Sequence, residues 1–181
     1  MHNLNQSIFL WINSFAGKIG ILDNIMILVA KFLPYLFIIL LFYLWFNNKK
    51  NEALYAGYST TLGVGINQII GLFYFHNRPF MDGIGQTILK HKPDSSFPSD
   101  HTTFTLCIAL MLLTFKSTRI IGAVATILAL WCGMARVYLG VHYPFDIAGS
   151  IIVSILAVLI ITLLKQKLYT INQFIIRSIW I

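Results

Sequence analysis

Two short polar stretches interrupt an otherwise apolar chain of 181 residues. One is Ser96-Phe97-Pro98-Ser99-Asp100-His101, with Arg78-Pro79 upstream. The other is Arg136-Val137-Tyr138-Leu139-Gly140-Val141-His142-Tyr143-Pro144-Phe145-Asp146. Their residue types suit the handling of a phosphoryl group. Arg78 and Arg136 offer planar, permanently charged forks that bind phosphate oxygens through paired donors. Pro98-Ser99-Asp100-His101 reads as a turn leading into a helix, and a helix N-terminus favours an anion through its free amides and its dipole. His142 and Asp146 stand four apart with Pro144 between them, and proline suits a helix's first turn. One helical turn brings the carboxylate within reach of the imidazole, where it can fix the tautomer as a third group does for a base or nucleophile. His101 is left to protonate a departing oxygen.

Taken singly, each residue has an ordinary reading. Ser99 could cap a helix, the arginines could be snorkelling anchors, and a lone histidine could be merely interfacial. Their joint placement argues for chemistry. His101, His142, Asp100 and Asp146 also have the right types for a zinc site, but two arginines beside a dication oppose it. No metal and no cofactor is therefore expected. His2, His76 and His91 lack a partner at informative spacing and read as loop or interface residues.

The elements that must hold these residues are membrane helices. The chain is 57% hydrophobic and 10% charged, whereas soluble domains carry roughly a quarter charged residues. Apolar runs cover residues 25–46, 53–75, 102–115, 120–135 and 145–164, and about 20 helical residues span a bilayer. The expected fold is an all-α membrane protein, a single domain over residues 1–181. It is a bundle of about five to six transmembrane helices, helical because lipid satisfies no backbone group.

Leu4, Ile8, Trp11 and Ile12 share a helical face, so the N-terminal segment is expected to lie in the interface, with a sixth span there left open. No cleaved signal peptide is expected. Residues 171–181 are expected to be interfacial too, anchored by Trp180. Cys107 and Cys132 read as small packed hydrophobes. Gly57, Gly63, Gly65 and Gly71 read as sites of close helix packing.

Five spans send Lys49, Lys50, Lys116, Arg119, Lys165, Lys167 and Arg177 to one side. Lys18, Arg78, Lys90, Lys92 and Arg136 go to the other, with Lys31 near a membrane face and with Asp82, Asp94, Asp100 and Asp146. The basic totals separate once Arg78 and Arg136 are set aside as site residues. The positive-inside rule makes the first side cytoplasmic, so the polar stretches face outward with the N-terminus. The net charge of +7 does not imply a nucleic-acid partner, because the basic residues are scattered at span ends without interleaved aromatics. Nothing in the sequence fixes an oligomeric state.

At these residues the chain resembles the type 2 phosphatidic acid phosphatase superfamily of membrane lipid phosphatases. That signature runs Lys-x6-Arg-Pro, Pro-Ser-Gly-His and Ser-Arg-x5-His-x3-Asp. Here it reads Arg78-Pro79, Pro98-Ser99-Asp100-His101 and Ala135-Arg136-x5-His142-x3-Asp146. Gly71 stands where the family has lysine, Asp100 where it has glycine, and Ala135 where it has serine. Lys90 or Lys92 is a candidate to replace the lysine.

The stretch from Phe73 to Phe80, with Ser96 to Thr103, looks like the bacitracin-resistance subgroup of bacterial undecaprenyl diphosphate phosphatases. The resemblance implies hydrolysis of that polyprenyl diphosphate lipid on the outer face of the bacterial cytoplasmic membrane, recycling the cell-wall carrier. It further implies His142 as the nucleophile forming a phosphohistidine, Asp146 as its assistant, and His101 as general acid and then base. Arg78, Ser99, Arg136 and the Asp100 turn would bind phosphate, without metal. Phosphatidylglycerophosphate, phosphatidate and lipid A stay open as substrates. A lipid transporter is disfavoured, since such proteins keep a midplane site between repeats and no repeat is present. The missing lysine is the main argument for an inactive relative.

Overall fold

The computed structural model describes residues 2–178, with side chains from Leu4 onward. Its helices are α1 (His2–Asn13), α2 (Gly20–Phe46), α3 (Lys50–Phe73), α4 (Asp100–Leu113), α5 (Arg119–Tyr138) and α6 (Pro144–Ser178). No strand occurs among the described residues, in keeping with the all-α expectation. Helices α2, α5 and α6 are each long and apolar enough to cross a membrane.

Helix α4 has only 14 residues, about 21 Å of helix against roughly 30 Å of hydrocarbon. It can be short because it is the hub. It packs against α2, α3, α5 and α6, and Thr102, Thr103 and Leu106 to Ala109 are buried. Its first turn, which carries Asp100 and His101, therefore opens inside the bundle's rim.

The α2–α3 turn, the α4–α5 turn and the middle of α6 meet at one end. Lys49 Nζ donates to the Ser117 carbonyl (3.0 Å) and Lys165 Nζ to Thr114 Oγ1 (2.8 Å). Both polar stretches lie at the opposite end, as alternating spans require.

Helix α1 docks there through a polar stripe. Asn5, Phe9 and Asn13 are buried, while Leu4 and Trp11 of the expected apolar face stay exposed. The Asn13 amide donates to the carbonyls of Gln86 and Tyr138 (both 2.8 Å). Asn5 Oδ1 accepts from the Phe145 N–H (3.0 Å) at the start of α6. The N-terminal helix thus helps position the loop and the α6 start that build the site.

Two expectations need correction. Residues 171–178 are no separate interfacial segment. They continue α6, and buried Asn172 donates to Asn51 Oδ1 (3.1 Å) and accepts from the Tyr58 hydroxyl (2.9 Å), folding the helix end onto α3. Trp180 lies outside the described residues. Among the four glycines, only Gly63 makes a close approach, since a Cβ there would lie 2.6 Å from Cys107 Sγ. Gly57, Gly65 and Gly71 face open space.

Gly140, at φ +80°, turns the chain from α5 toward His142, and a Cβ would strike the Gln86 backbone. Gly140→Ala is expected to cost about 3 kcal/mol or more. Gly83→Ala, at φ +68° with open space, should cost about 1 kcal/mol. Thermal unfolding midpoints in detergent would show the difference.

Candidate active site

The loop between α3 and α4 folds back on itself, the Ser96 N–H donating to the His76 carbonyl (2.7 Å). This delivers Arg78 and Ser96 to the start of α6, where His142 and Asp146 wait. His142 Nδ1 lies 3.3 Å from Asp146 Oδ2, and His142 Nε2 lies 3.0 Å from Arg78 Nη1. A guanidinium only donates, so Nε2 is the lone-pair nitrogen and Nδ1 carries the proton toward the carboxylate. Burial, with the positive charges of Arg136 and Arg78, holds His142 down at about 4 against the pull of Asp146. The imidazole is neutral at physiological pH. His142 lines a cavity of about 550 Å³.

Asp146 is fully buried. It accepts from the Tyr143 N–H (2.7 Å) and, through a short hydrogen bond, from Ser96 Oγ. Arg78 is fixed by Asp94 Oδ1 (2.8 Å), the Val141 carbonyl (2.8 Å) and the Ser95 carbonyl (3.2 Å). Arg136 differs. It is buried at the cavity wall, forms no ion pair among the described residues, and its Nε has no hydrogen-bond partner. A buried charge without an ion-pair partner is costly, and a bound anion would offset that cost. His101 faces the same cavity from the first turn of α4.

Two of the phosphate ligands expected from sequence are placed otherwise. The Ser99 hydroxyl is buried behind the cavity wall and accepts from Thr102 Oγ1 (3.0 Å), so Ser99 braces the turn. The Asp100 carboxylate lines the cavity but is held by the Asn67 and Gln68 amides (2.9 and 3.0 Å). A carboxylate repels phosphate, so only the backbone of this turn is suited to bind it. Helical amides at Asp100, His101 and Thr102 have no intrahelical acceptor.

Sequence reading also passed over three residues. His76 Nδ1 sits 3.3 Å from Asp146 Oδ1, at ion-pair distance but off hydrogen-bond alignment. That carboxylate raises the His76 pKa. The two are 70 positions apart, so no spacing rule could pair them. Ser96 lay inside the recognised stretch with no role attached, and His91 lines the cavity beside His142. Gly71 is at the cavity wall with open space where the family lysine would project. Among the described residues, no group of three or more histidine, cysteine or acidic side chains is arranged to hold a metal ion.

Residues 52–169 match the PAP2 superfamily. The chain belongs to that superfamily. The match contains Arg78, His101, Arg136, His142 and Asp146, and it places this PAP2 chain among membrane lipid phosphatases. The chain is 36% identical over 156 residues to undecaprenyl-diphosphatase BcrC of Bacillus subtilis (strain 168), covering 84% of this chain and 80% of that one. The fold matches the crystal structure of Aquifex aeolicus LpxE with a TM-score of 0.76 at 25% identity, over 88% of this chain and 94% of that one. It also matches the transmembrane PAP2-type phosphatidylglycerolphosphate phosphatase of Bacillus subtilis, with a TM-score of 0.72 at 21% identity over 92% and 86% of the two chains.

Proposed function

We propose that this PAP2 phosphatase removes the terminal phosphate of undecaprenyl diphosphate through a phosphohistidine, without metal. It would thereby recycle the cell-wall carrier and confer bacitracin resistance. The observation that carries the reading is the buried, neutral His142, whose Nε2 rests on Arg78 and which lines one cavity with Arg136, whose Nε has no hydrogen-bond partner. The 36% identity to a protein described as an undecaprenyl-diphosphatase supports the substrate class. Lys49 and Lys165 meet at the end opposite the site, so the positive-inside rule turns the site outward from the cytoplasmic membrane.

In the proposed reaction the terminal phosphate takes over the Arg78 donor that rests on Nε2 and fills the Arg136 fork. The Nε2–P bond forms as the P–O bond to the bridging oxygen breaks, with its electron pair leaving on the lipid phosphate. His101 gives that oxygen a proton and then takes one from water, which attacks phosphorus and returns His142 to its starting state. Asp146 stabilises the cationic imidazole between the two steps. Asp146→Asn is expected to lower kcat by about 10³-fold, because an amide can neither balance that charge nor accept from Tyr143, Ser96 and His142 alike. Initial rates of phosphate release would measure the loss.

The reading is tested by phosphate release in detergent with excess chelator. Undecaprenyl diphosphate would be compared with phosphatidylglycerophosphate, phosphatidate and lipid A. The diphosphate is expected to have the highest kcat/KM. A monoester with the highest value would overturn the substrate, and loss of activity to chelator would overturn the metal-free mechanism.

A further inference from the structure

Helix α2 carries 27 residues of which only Asp23 and Lys31 are charged. Lys31 is the twelfth of these residues and is exposed on the helix surface beside the site, and an ionisable residue that far along an apolar span marks a functional site by default. It borders two cavities beside the catalytic one. The first, about 360 Å³, is walled by Lys31, Tyr35, Lys90, His91, His101 and Arg136. The second, about 300 Å³, runs between α2, α3 and α4 past Lys31, Tyr35, Ile38, Val64, His101 and Phe104. His101 borders all three spaces. Neither Lys31 nor Lys90 has a hydrogen-bond or ion-pair partner among the described residues. Asp100, which lines the second cavity, is already held by Asn67 and Gln68.

We propose that Lys31 and Lys90 form a subsite for the lipid-bound phosphate of a diphosphate, in the space that shares His91, His101 and Arg136 with the catalytic cavity but is not lined by His142. The inference rests on the reaction proposed above. In-line displacement puts the leaving oxygen opposite the nucleophile, so the group beyond the general acid is the leaving group. In phosphatidate that group is diacylglycerol, a neutral alcohol, and two cations there would be idle. In a diphosphate it is a phosphate that gains negative charge as the bridging P–O bond breaks. Two ammonium groups stabilise that charge as it develops. The apolar cavity starting at the same lysine then takes the first part of the hydrocarbon chain. Lys31 lies outside residues 52–169 of the superfamily match. The subsite also offers cations in a place other than the one left by Gly71.

The test compares wild type with Lys31→Ala, Lys90→Ala and the double variant on undecaprenyl diphosphate and on phosphatidate. Each single variant should lose about tenfold in kcat/KM on the diphosphate and the double about 100-fold, with Lys31→Arg restoring most of it. Phosphatidate hydrolysis should stay within about threefold, below the roughly tenfold that a weak charged contact contributes. Equal losses on both substrates, or none on either, would overturn the proposal. A second readout is inhibition of monoester hydrolysis by methylenediphosphonate and by orthophosphate. The double variant should weaken the first inhibitor selectively, and unchanged selectivity would overturn the subsite. If the wild type fails to turn over the lipid diphosphate, the proposed function falls, while this inhibition still decides whether a two-phosphate site exists.

Discussion

His142→Ala is expected to lower kcat by about 10⁴-fold or more while leaving the protein folded. No neighbour can substitute for it. His76 faces Asp146 from the other oxygen, His101 is needed as acid, and Arg78 only donates. His142→Gln should be as inactive, which separates loss of the nucleophile from loss of packing. The pH dependence follows from the same geometry. The nucleophile works when Nε2 is unprotonated, and His142 is held at about 4. Its acid limb therefore lies near pH 4, and activity falls as pH drops through that value. Changes between pH 5 and 8 must come from other groups. A steep acid loss centred near 6.5, the ordinary histidine value, would contradict a buried neutral His142.

Arg136→Leu is expected to act in opposite directions on activity and stability. The guanidinium is buried, forms no ion pair among the described residues and leaves its Nε without a hydrogen-bond partner, so its burial without an anion is costly. An apolar residue of similar reach removes that cost and should stabilise the unliganded protein by about 1–3 kcal/mol. The same change removes a charged fork from the phosphate and should reduce kcat/KM by about 10³-fold. Phosphate or vanadate should raise the unfolding midpoint of wild type and leave that of Arg136→Leu unmoved. A destabilised Arg136→Leu that still responds to phosphate would show the arginine to be structural.

The helices were legible because lipid imposes long apolar runs. Arg136, His142 and Asp146 were legible because one short stretch of chain carries all three, with Asp146 four positions after His142. Other features depended on tertiary contact. His76 and Ser96 reach Asp146 only because the loop after α3 folds back, and hydropathy carries no signal for that. Ser99 and Asp100 sit in a recognisable turn, yet their side chains point away from the expected role. The Ser99 hydroxyl is turned inward to Thr102, and the Asp100 carboxylate is captured by two amides of α3. The continuous α6 was hidden for a related reason. Its polar end 165–178 reads as the finish of a span, but buried Asn172 holds it against α3.

The central claim, that His142 carries the phosphoryl group, is tested most directly by rapid alkaline quenching during turnover of lipid diphosphate labelled in its terminal phosphate. Peptide mapping would then locate the label. A base-stable, acid-labile phosphoramidate on the His142 peptide, absent from His142→Ala and accumulating in His101→Ala, is the expected result. Label on any other residue, or turnover with no labelled protein and inverted configuration at phosphorus, would contradict it.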